Sequence, residues 1–396
     1  MDENFLYFVK YKMFMEVCQM ILKSLYVKNF RNINEAQFSF HPSVNIFTGN
    51  NAQGKTNLME AISLCLGGSF RPSKALEYIP IGKTDEKTTM RLNFAFDAYP
   101  EKENVIEYEQ LGGSAKITLN KLTLKNAAEL YGKLRYVVFV PEDLFIVKGN
   151  PEQRRTYIDS VADMMNKIHH AKLAEYNKAL RQKNNLLTKL PPVPTDYDKT
   201  MISTWNESLA RLGVNVMYGR LKHFITLREY LYEIYSKLNQ NNENLTAEYF
   251  STVMNGWDFD FSDTDGLCRR YLDELESSLP KELIFRYTVT GAHRDDLIFT
   301  INGMNSRDYA SQGQVRSIAL ALKLAEAEMI RDRTGDCPVV ILDDVLSELD
   351  EYRRNFVMNN INSEQVFITG CNVNDMRGFS SGKMWRVEDG RFTESK

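Results

Sequence analysis

The sequence predicts an α/β fold with an antiparallel β lobe and an inserted helical arm. Three observations predict it. A glycine-rich loop, residues 49–56, follows a strand pattern and opens a helix pattern near the start of the chain. A short apolar run that ends in two acids, residues 339–344, lies near the end. Between them, from residue 151 onwards, apolar side chains recur at helical spacing, which indicates a helical insertion.

Length and composition set the limits of this prediction. The chain has 396 residues, which is too long for one ordinary hydrophobic core and suits two or three lobes. Hydrophobic residues make up 43% and charged residues 26%, values that are typical of a globular protein. The net charge of −3 excludes a whole-protein attraction to nucleic acid, so DNA binding requires a local basic patch.

The cysteines and the apolar runs indicate the compartment. The five cysteines are scattered and form no C-x-x-C pair, which argues against a disulfide framework or a zinc site and favours a reducing cytosol. No stretch of about 18 uncharged apolar residues occurs, so we expect a cytoplasmic protein without a membrane partner. Residues 1–19 do not resemble a signal peptide, and a strand pattern opens at Met20. We expect residues 1–19 to be a non-native or poorly defined extension, with a short amphipathic helix as the alternative.

Residues 20–150 are predicted to form the first part of the head. Alternating apolar residues and a short buried run indicate strands between residues 21 and 48, and a helix follows from about Thr56 to Cys65. Residues 90–124 return to alternation, and Gly112-Gly113 marks a hairpin turn in this antiparallel lobe. Another strand is expected at residues 136–140.

Residues 151–283 are predicted to form the helical arm. A helix from Pro151 to about Leu187 is broken by a proline-rich turn at residues 191–194, and a second helical pattern runs from Trp205 to Ile234. Two such helices would pack antiparallel as a stub, too short for a long coiled coil.

Residues 284–396 are predicted to complete the head. Strands are expected at residues 284–289 and 297–301, with Asn302-Gly303 as a tight hairpin turn. An alanine-rich helix is expected at residues 314–332, and buried strands at residues 339–342 and 365–369.

The glycine-rich loop carries the clearest chemistry. It matches G-x-x-x-x-G-K-[ST] in the strand-loop-helix context that this motif needs, whereas the alternative is a plain glycine loop. Backbone N–H groups of such a loop surround phosphate oxygens, and the helix N-terminus adds positive potential. Lys55 would reach the β- and γ-phosphates and Thr56 would ligate Mg²⁺, so ATP and Mg²⁺ are the predicted cofactors. The predicted nucleotide-binding residues of the loop are Gly49, Asn50, Asn51, Ala52, Gln53, Gly54, Lys55 and Thr56.

Two further motifs complete the ATPase pattern. Asp343 and Asp344 follow a buried strand at the end where α/β sheets bind ligands; Asp343 would hold Mg²⁺ and Asp344 would act as general base. Ser311-Gln312-Gly313-Gln314 opens a long helix, which by itself is consistent with an ordinary N-cap. However, residues 346–350 follow the acids at the spacing of ABC-type ATPases. These motifs resemble those of ABC-type ATPases, so the expected fold class is an ABC-type P-loop ATPase head.

Several segments resemble the RecF family of bacterial DNA-repair proteins. The resemblance is collinear over roughly residues 20–372, and the block at residues 291–297 is its most specific part, with Ala292 where the family more often has proline. The segments are Asn29-Phe30-Arg31-Asn32, Pro141-Glu142-Asp143-Leu144 with Lys148-Gly149 and Arg154-Arg155, Gly291-Ala292-His293-Arg294-Asp295-Asp296-Leu297, Ser311-Gln312-Gly313-Gln314, and Leu342-Asp343-Asp344-Val345-Leu346-Ser347-Glu348-Leu349-Asp350.

The resemblance implies an SMC-like ATPase of recombinational repair and replication-fork recovery. Such a protein is a homodimer when ATP is bound, hydrolyses ATP slowly, and engages single-stranded DNA or junctions of single and double strand together with recombination mediator proteins. Ser311 and Gly313 would act on the partner copy's ATP, Gln314 would belong to the same nucleotide-binding set, and Asp350 would lie across the dimer interface. Arg31 would contact phosphate, with Asn32 supporting its turn.

The resemblance leaves several roles open. Glu142 stands where many ABC-type ATPases keep a lid glutamine, and residues 368–370 lack the histidine that senses the γ-phosphate in transporters. His293 and Arg294 are either phosphate sensors or a hydrogen-bonded structural corner. The basic helix after residue 151 either tracks DNA phosphates or is a solvated face. Its candidate DNA-binding residues are Arg154, Arg155, Lys172, Arg181 and Lys183.

Three rival functions fit the sequence less well. A transporter motor is disfavoured by the helical arm, by the SQGQ form and by the missing histidine. A structural tether of the SMC kind is disfavoured by the short arm. A GTPase is disfavoured because no N/T-K-x-D motif for guanine occurs.

Overall fold

The structure is a computed structural model that describes residues 18–68, 75–80, 85–191, 193–240, 242–254, 262–361, 364–371 and 382–395. The expectations for residues 1–17, and for Pro192 within the proline-rich turn, lie outside these residues. The chain forms two compact units. The first, which we call the head unit, comprises Met1–Asp143 and Leu322–Lys396, and the second, the arm unit, comprises Leu144–Ala321.

The strands and helices are numbered in chain order. The strands are β1 Cys18–Phe30, β2 Ile33–Ser39, β3 Val44–Thr48, β4 Thr88–Phe96, β5 Tyr99–Leu111, β6 Ser114–Leu119, β7 Leu122–Thr123, β8 Tyr136–Phe139, β9 Leu245–Phe250, β10 Asp296–Ile301, β11 Met304–Asn305, β12 Asp336–Cys337, β13 Val339–Asp343, β14 Val366–Gly370, β15 Lys383–Glu388 and β16 Arg391–Ser395. The α-helices are α1 Lys55–Cys65, α2 Leu144–Lys148, α3 Pro151–Met165, α4 Lys167–Lys189, α5 Asp196–Leu238, α6 Thr264–Ser277, α7 Leu279–Phe285, α8 Ser306–Tyr309, α9 Gln312–Thr334 and α10 Glu351–Asn360.

The core sheet of the head unit has the order β16-β15-β3-β14-β13-β8 and is parallel except for the hairpin β15–β16. Every residue of β3, β13 and β14 is buried, as expected for parallel strands that are covered on both faces. The pairing places Thr48 beside Gly370 and Asp343 beside Thr369. The C-terminal ends of these strands therefore share one edge of the sheet.

A second, mostly antiparallel sheet forms the β lobe of the head unit. Its order is β12-β1-β4-β5-β6-β7, with β2 paired to β1. The predicted hairpin is present, because Leu111 pairs with Ser114 across the two glycines. The head unit thus combines a mostly parallel sheet with an antiparallel lobe, as the sequence predicted.

The arm unit combines long helices with a small sheet. Helices α4 and α5 pack against each other, and α6 packs on α5. The sheet has the order β11-β10-β9, and Asn302-Gly303 forms the predicted turn between β10 and β11. Since α3 and α5 also contact this sheet, the unit extends to Ala321 instead of ending at the predicted residue 283.

Three elements differ from the expectations. The first long helix is divided at Asn166, which ends α3 and caps α4 by accepting the N–H of Ile168. The prediction of a strand at residues 284–289 is wrong, because Leu279–Phe285 is a helix with proline in its first turn. The hairpin β15–β16 was not anticipated.

Among the residues described, no helix is both long and apolar enough to cross a membrane. The four cysteines whose side chains are described, Cys65, Cys268, Cys337 and Cys371, are free thiols.

Candidate functional site

The glycine-rich loop connects β3 to α1 at the C-terminal edge of the core sheet. Gly54 caps α1 in the left-handed conformation, with φ of 108°. The Lys55 side chain is buried and turns back into the loop, where its Nζ donates to the carbonyl oxygens of Gly49 at 2.6 Å and Asn50 at 2.8 Å. The loop thus curls around an ammonium group at a helix N-terminus, which is the arrangement that binds phosphate.

Thr56 and Asp343 form the candidate metal pair. The Thr56 hydroxyl donates to Asp343 Oδ1 at 3.0 Å, although the two residues are 287 positions apart. Asp343 is 2% exposed. Within the described ranges, no group of three or more His, Cys, Asp or Glu side chains is placed to hold a metal. A hydroxyl and one carboxylate suit Mg²⁺, because this ion takes its remaining ligands from water and substrate phosphates.

Asp344 lies next to this pair in an unusual backbone conformation, with φ of 57°. Its N–H donates to Thr369 Oγ1 at 2.9 Å, and the same hydroxyl donates to Asp343 Oδ1 at 2.7 Å. Ser347 Oγ donates to the carboxylate of Asp344 at 3.1 Å. Thr369, which the sequence suggested only as a departure from a histidine sensor, therefore connects the two acids.

Arg31 is held by a buried acid. Its Nε and Nη2 donate to the two carboxylate oxygens of Glu60 at 2.8 and 2.9 Å, and its guanidinium lies 5.2 Å from the Tyr78 ring centroid. Glu60, on α1, is fully buried and was not identified from the sequence. The contact of Arg31 with phosphate stays a prediction.

The outer part of the loop is supported by neighbouring polar groups. Asn32 Nδ2 donates to the Gln53 carbonyl at 3.2 Å, which agrees with a supporting role for Asn32. Asn51 accepts a hydrogen bond from the thiol of Cys371 at 2.9 Å. Ala52 adopts a left-handed conformation, with φ of 63°.

The SQGQ segment lies in the arm unit and is exposed. The N–H of Ser311 donates to Gln314 Oε1 at 2.7 Å, and the N–H of Gln314 donates to Ser311 Oγ at 3.3 Å, a reciprocal cap of α9. Gln314 Nε2 also donates to Glu243 at 2.8 Å. Lys148 holds the preceding turn by donating to the carbonyls of Arg307 and Ala310 at 2.9 and 3.0 Å.

Two other predicted residues lie on the surface of the head unit. Asp350 caps α10 by accepting the N–H of Arg353 at 2.9 Å, and this hydrogen bond is the main cause of its lowered pKa. Glu142 is exposed in a short 3₁₀ turn. Their parts in an interface or a lid stay predictions.

The block at residues 291–297 forms a hydrogen-bonded corner, which supports the structural role proposed for His293. Its two ring nitrogens contact the Tyr176 hydroxyl at 2.8 Å and the Thr288 carbonyl at 2.9 Å, and burial lowers the pKa of His293 to about 4. Arg294 lies over the Tyr287 ring at 5.2 Å. Burial raises the pKa of Asp295 to about 6.

A salt-bridge network fixes this corner. Arg220 donates to both carboxylate oxygens of Asp159 at 2.7 and 2.8 Å and to the Ala292 carbonyl at 2.6 Å. Tyr249 donates to Asp295. The block is therefore held in place by hydrogen bonds within the arm unit.

The structure corrects part of the predicted DNA surface. Arg154 is 3% exposed and forms two hydrogen bonds with Asp296, at 2.5 and 2.9 Å. Lys183 is fully buried against Glu282, with 2.7 Å between Nζ and Oε2. The DNA-binding prediction is wrong for these two residues, because their charges are neutralised in the interior.

The other three basic residues differ in exposure. Arg155 is partly buried and donates to the Asp295 carbonyl at 2.8 Å. Lys172 is partly exposed, with Glu175 at 3.7 Å, and Arg181 is exposed. Lys172 and Arg181 are the remaining candidates for phosphate contacts.

Comparison with known proteins agrees with this geometry. The family model described as the RecF/RecN/SMC N terminal domain matches residues 21–388. A protein from Clostridium acetobutylicum named DNA replication and repair protein RecF is 33% identical over 378 residues, which cover 95% of this chain and 100% of that protein. A protein of the same name from Listeria welshimeri is 36% identical over 353 residues, covering 88% and 92%.

Solved structures give the same result. The recombination mediator protein RecF-ATP in the RecFOR pathway superposes with a TM-score of 0.85 at 32% identity, covering 95% of this chain and 98% of that one. The Smc head domain from Pyrococcus furiosus gives a TM-score of 0.54 at 16% identity, covering 95% and 96%, a likeness of fold alone.

Proposed function

Because the chain belongs to the RecF family of DNA replication and repair proteins, we propose that it is an ATP-gated DNA clamp whose nucleotide site closes only when two copies meet. The family and the ABC-type head establish an ATP-binding protein of DNA repair with the fold of an ATPase. Beyond this, ATP binding would convert single copies of the chain into a dimer.

The observation that carries the proposal is the hydrogen bond between Thr56 and Asp343. It brings the glycine-rich loop and the paired acids, which are far apart in sequence, to one edge of the sheet. Lys55 would bind the β- and γ-phosphates in the curl of the loop, and Thr56 with Asp343 would hold Mg²⁺. The ion supplies charge neutralisation for the triphosphate.

Asp344 is placed to serve as general base. Its backbone is fixed by Thr369 and its carboxylate by Ser347, so it would accept the proton of the attacking water. Hydrolysis is proposed to be slow and to reset the clamp, since Thr369 stands in the region where transporters keep a sensing histidine.

The second half of the site would come from the partner copy. Ser311 and Gly313 are exposed at the tip of α9, and the nearest atom to a side chain at Gly313 would be Ser311 Oγ at 4.0 Å. A hydroxyl and N–H groups at a helix N-terminus can cover the γ-phosphate of the other copy. Gln314 would hold this tip in position and Asp350 would line the interface.

The dimer would bind DNA through its backbone. Exposed Arg181 and partly exposed Lys172 on α4 offer phosphate contacts without base reading. We therefore propose single-stranded DNA and single/double-strand junctions as ligands, and recombination mediator proteins as partners, in line with the relative named a recombination mediator of the RecFOR pathway.

Sedimentation velocity with and without ATP, repeated with gapped duplex DNA, tests the proposal. We expect a single copy without nucleotide, a dimer with ATP and Mg²⁺, and co-sedimentation of that dimer with the DNA. A protein that binds ATP and yet stays single at saturating nucleotide would contradict the gating.

A further inference from the structure

The C-terminal hairpin β15–β16 lies beside the strand that leads into the glycine-rich loop. Strand β15 pairs with β3 in parallel, from Lys383 opposite Asn45 to Arg386 opposite Thr48. The hairpin turns at Asp389 and Gly390, which have φ of 48° and 72°. The turn at Asp389 and Gly390 comes shortly after Arg386, the last β15 residue paired with β3. It therefore lies next to the glycine-rich loop, which follows β3.

Both backbone N–H groups of the turn point at one residue of the loop. The N–H of Asp389 donates to Gln53 Oε1 at 2.7 Å, and the N–H of Gly390 donates to the Gln53 carbonyl oxygen at 2.9 Å. That carbonyl also accepts from Asn32 Nδ2 at 3.2 Å. Gln53 is therefore held through its side chain and its main chain at once.

The hairpin also approaches the loop at its first glycine. A Cβ added to Gly49 would lie 2.3 Å from the Val387 carbonyl oxygen, so the backbone of β15 lies directly against the entry of the loop. A Cβ added to Gly390 would lie 2.2 Å from the Asn32 carbonyl oxygen. The packing leaves no space for a side chain at either contact.

We propose that Asp389 and Gly390 are positioning residues that hold the glycine-rich loop in its phosphate-binding conformation, so that the C-terminal hairpin sets the affinity for ATP. The inference rests on the proposed nucleotide-binding role of the loop. A loop with left-handed residues at Ala52 and Gly54 loses conformational entropy when it orders around a ligand. Hydrogen bonds that fix the loop beforehand lower that cost and raise the affinity.

Gly390→Ala tests the proposal against Gly112→Ala. Both glycines lie at hairpin turns of the head unit with positive φ, but nothing lies within 4 Å of a Cβ at Gly112. Both variants therefore carry backbone strain, whereas only Gly390→Ala pushes the turn away from the loop. We expect Gly390→Ala to weaken binding of a fluorescent ATP analogue about tenfold or more, the loss of one or two hydrogen bonds. Its KM should rise while kcat changes little. Equal affinities in the two variants would overturn the proposal.

Gln53→Ala provides a second route if Gly390→Ala does not fold. It removes the side-chain acceptor of the Asp389 N–H without altering the hairpin, and we expect weaker nucleotide binding with an unchanged melting temperature. Where Gly390→Ala does fold, the two losses should not add in the double variant, because both act through the same contact. Full additivity, or unchanged binding in Gln53→Ala, would contradict the positioning role. Wild-type protein that binds no ATP would instead refute the proposed function, so the two failures are distinguishable.

Discussion

The glycine-rich loop of the head unit and the α9 tip of the arm unit are built in opposite ways. The loop is enclosed: Lys55 is buried, Thr56 bonds to a buried aspartate, and Gln53 is held by the C-terminal hairpin. The tip is open: Ser311 and Gly313 are exposed, and the hydrogen bonds at Ser311 are those of its own cap.

Under the proposed mechanism, this difference would separate nucleotide binding from closure of the dimer. A preformed loop can bind nucleotide within a single copy, because its donors are oriented before the ligand arrives. The first N–H groups of an exposed helix have no partner within the helix, so they can bind only a group that approaches from outside. Substitutions should therefore affect the two regions in different assays.

The largest effect is expected from Lys55→Ala. The variant loses the ammonium that would bind two phosphates, at a cost of about 3–6 kcal/mol for two charged hydrogen bonds. ATP binding and ATP-dependent dimerisation should both disappear, as measured by calorimetry and sedimentation. Lys28→Ala, at a half-exposed lysine of the same unit, is the control and should bind normally. Dimerisation of Lys55→Ala with ATP would show that closure does not depend on this loop.

Arg154→Ala tests whether the Arg154–Asp296 ion pair stabilises the arm unit, which carries the exposed α9 tip. Arg154 bonds to Asp296 and to the Gly149 carbonyl, next to the lysine that holds the turn before Ser311. Leaving the partly buried Asp296 carboxylate without its buried arginine partner should lower the free energy of unfolding by about 3 kcal/mol. Urea denaturation followed by circular dichroism measures this loss.

Arg181→Ala is the matched surface variant for this test. We expect its stability to remain within about 0.5 kcal/mol of wild type, while the salt dependence of DNA binding falls by about one unit of slope. Wild-type stability in Arg154→Ala would mean that the ion pair does not support the arm unit.

Ser311→Arg should remove closure and leave binding intact. A long cation at the tip blocks the approach of a partner copy, and an unpaired charge enclosed there should weaken dimerisation about 100-fold, or ~3 kcal/mol. ATP affinity of the single copy should match wild type. Ser277→Arg, at an exposed serine of the same unit, should dimerise normally. Intact ATP-dependent dimers of Ser311→Arg would disprove the arrangement in trans.

The smallest effect is a pH dependence confined to the arm unit. Burial holds the pKa of His293 at about 4, below the ordinary value of about 6.5, so the unfolded chain binds more protons between these values. Stability from this group is present above pH 6.5 and is lost as the pH falls, by about 2 kcal/mol between pH 7 and pH 5. The raised pKa of Asp295, about 6, acts in the opposite direction.

His293→Gln isolates the histidine from the aspartate. Gln keeps a hydrogen-bonding group but does not titrate, so its unfolding midpoint should fall less than that of wild type on acidification. Thermal melts of both proteins at pH 7 and pH 5 measure the difference. Parallel curves would show that His293 does not titrate on unfolding.

The sequence predicted the enclosed region better than the open one. The glycine-rich loop and the strand Val339–Asp343 depend on local patterns, and each is present as expected. The meeting of Thr56 with Asp343 was predictable because parallel strands end at the same edge of a sheet.

Contacts between distant segments were not predictable from local patterns. Arg154 and Lys183 looked like members of a solvated basic face, but each pairs with an acid far along the chain, Asp296 and Glu282. The mistaken strand at residues 284–289 overlaps the end of the helix Leu279–Phe285, in which the buried Glu282 lies. The hairpin β15–β16 has no recognisable sequence motif, because its contacts with Gln53 are made mostly by backbone atoms.

Thr369 is hydrogen-bonded to both Asp343 and Asp344. Its single hydroxyl proton is directed at Asp343, while its lone pair receives the N–H of Asp344. Any rotation of this one side chain would therefore disturb both acids together. If Asp343 holds Mg²⁺ and Asp344 acts as general base, as proposed, metal affinity and the rate of hydrolysis would change together on substitution of Thr369.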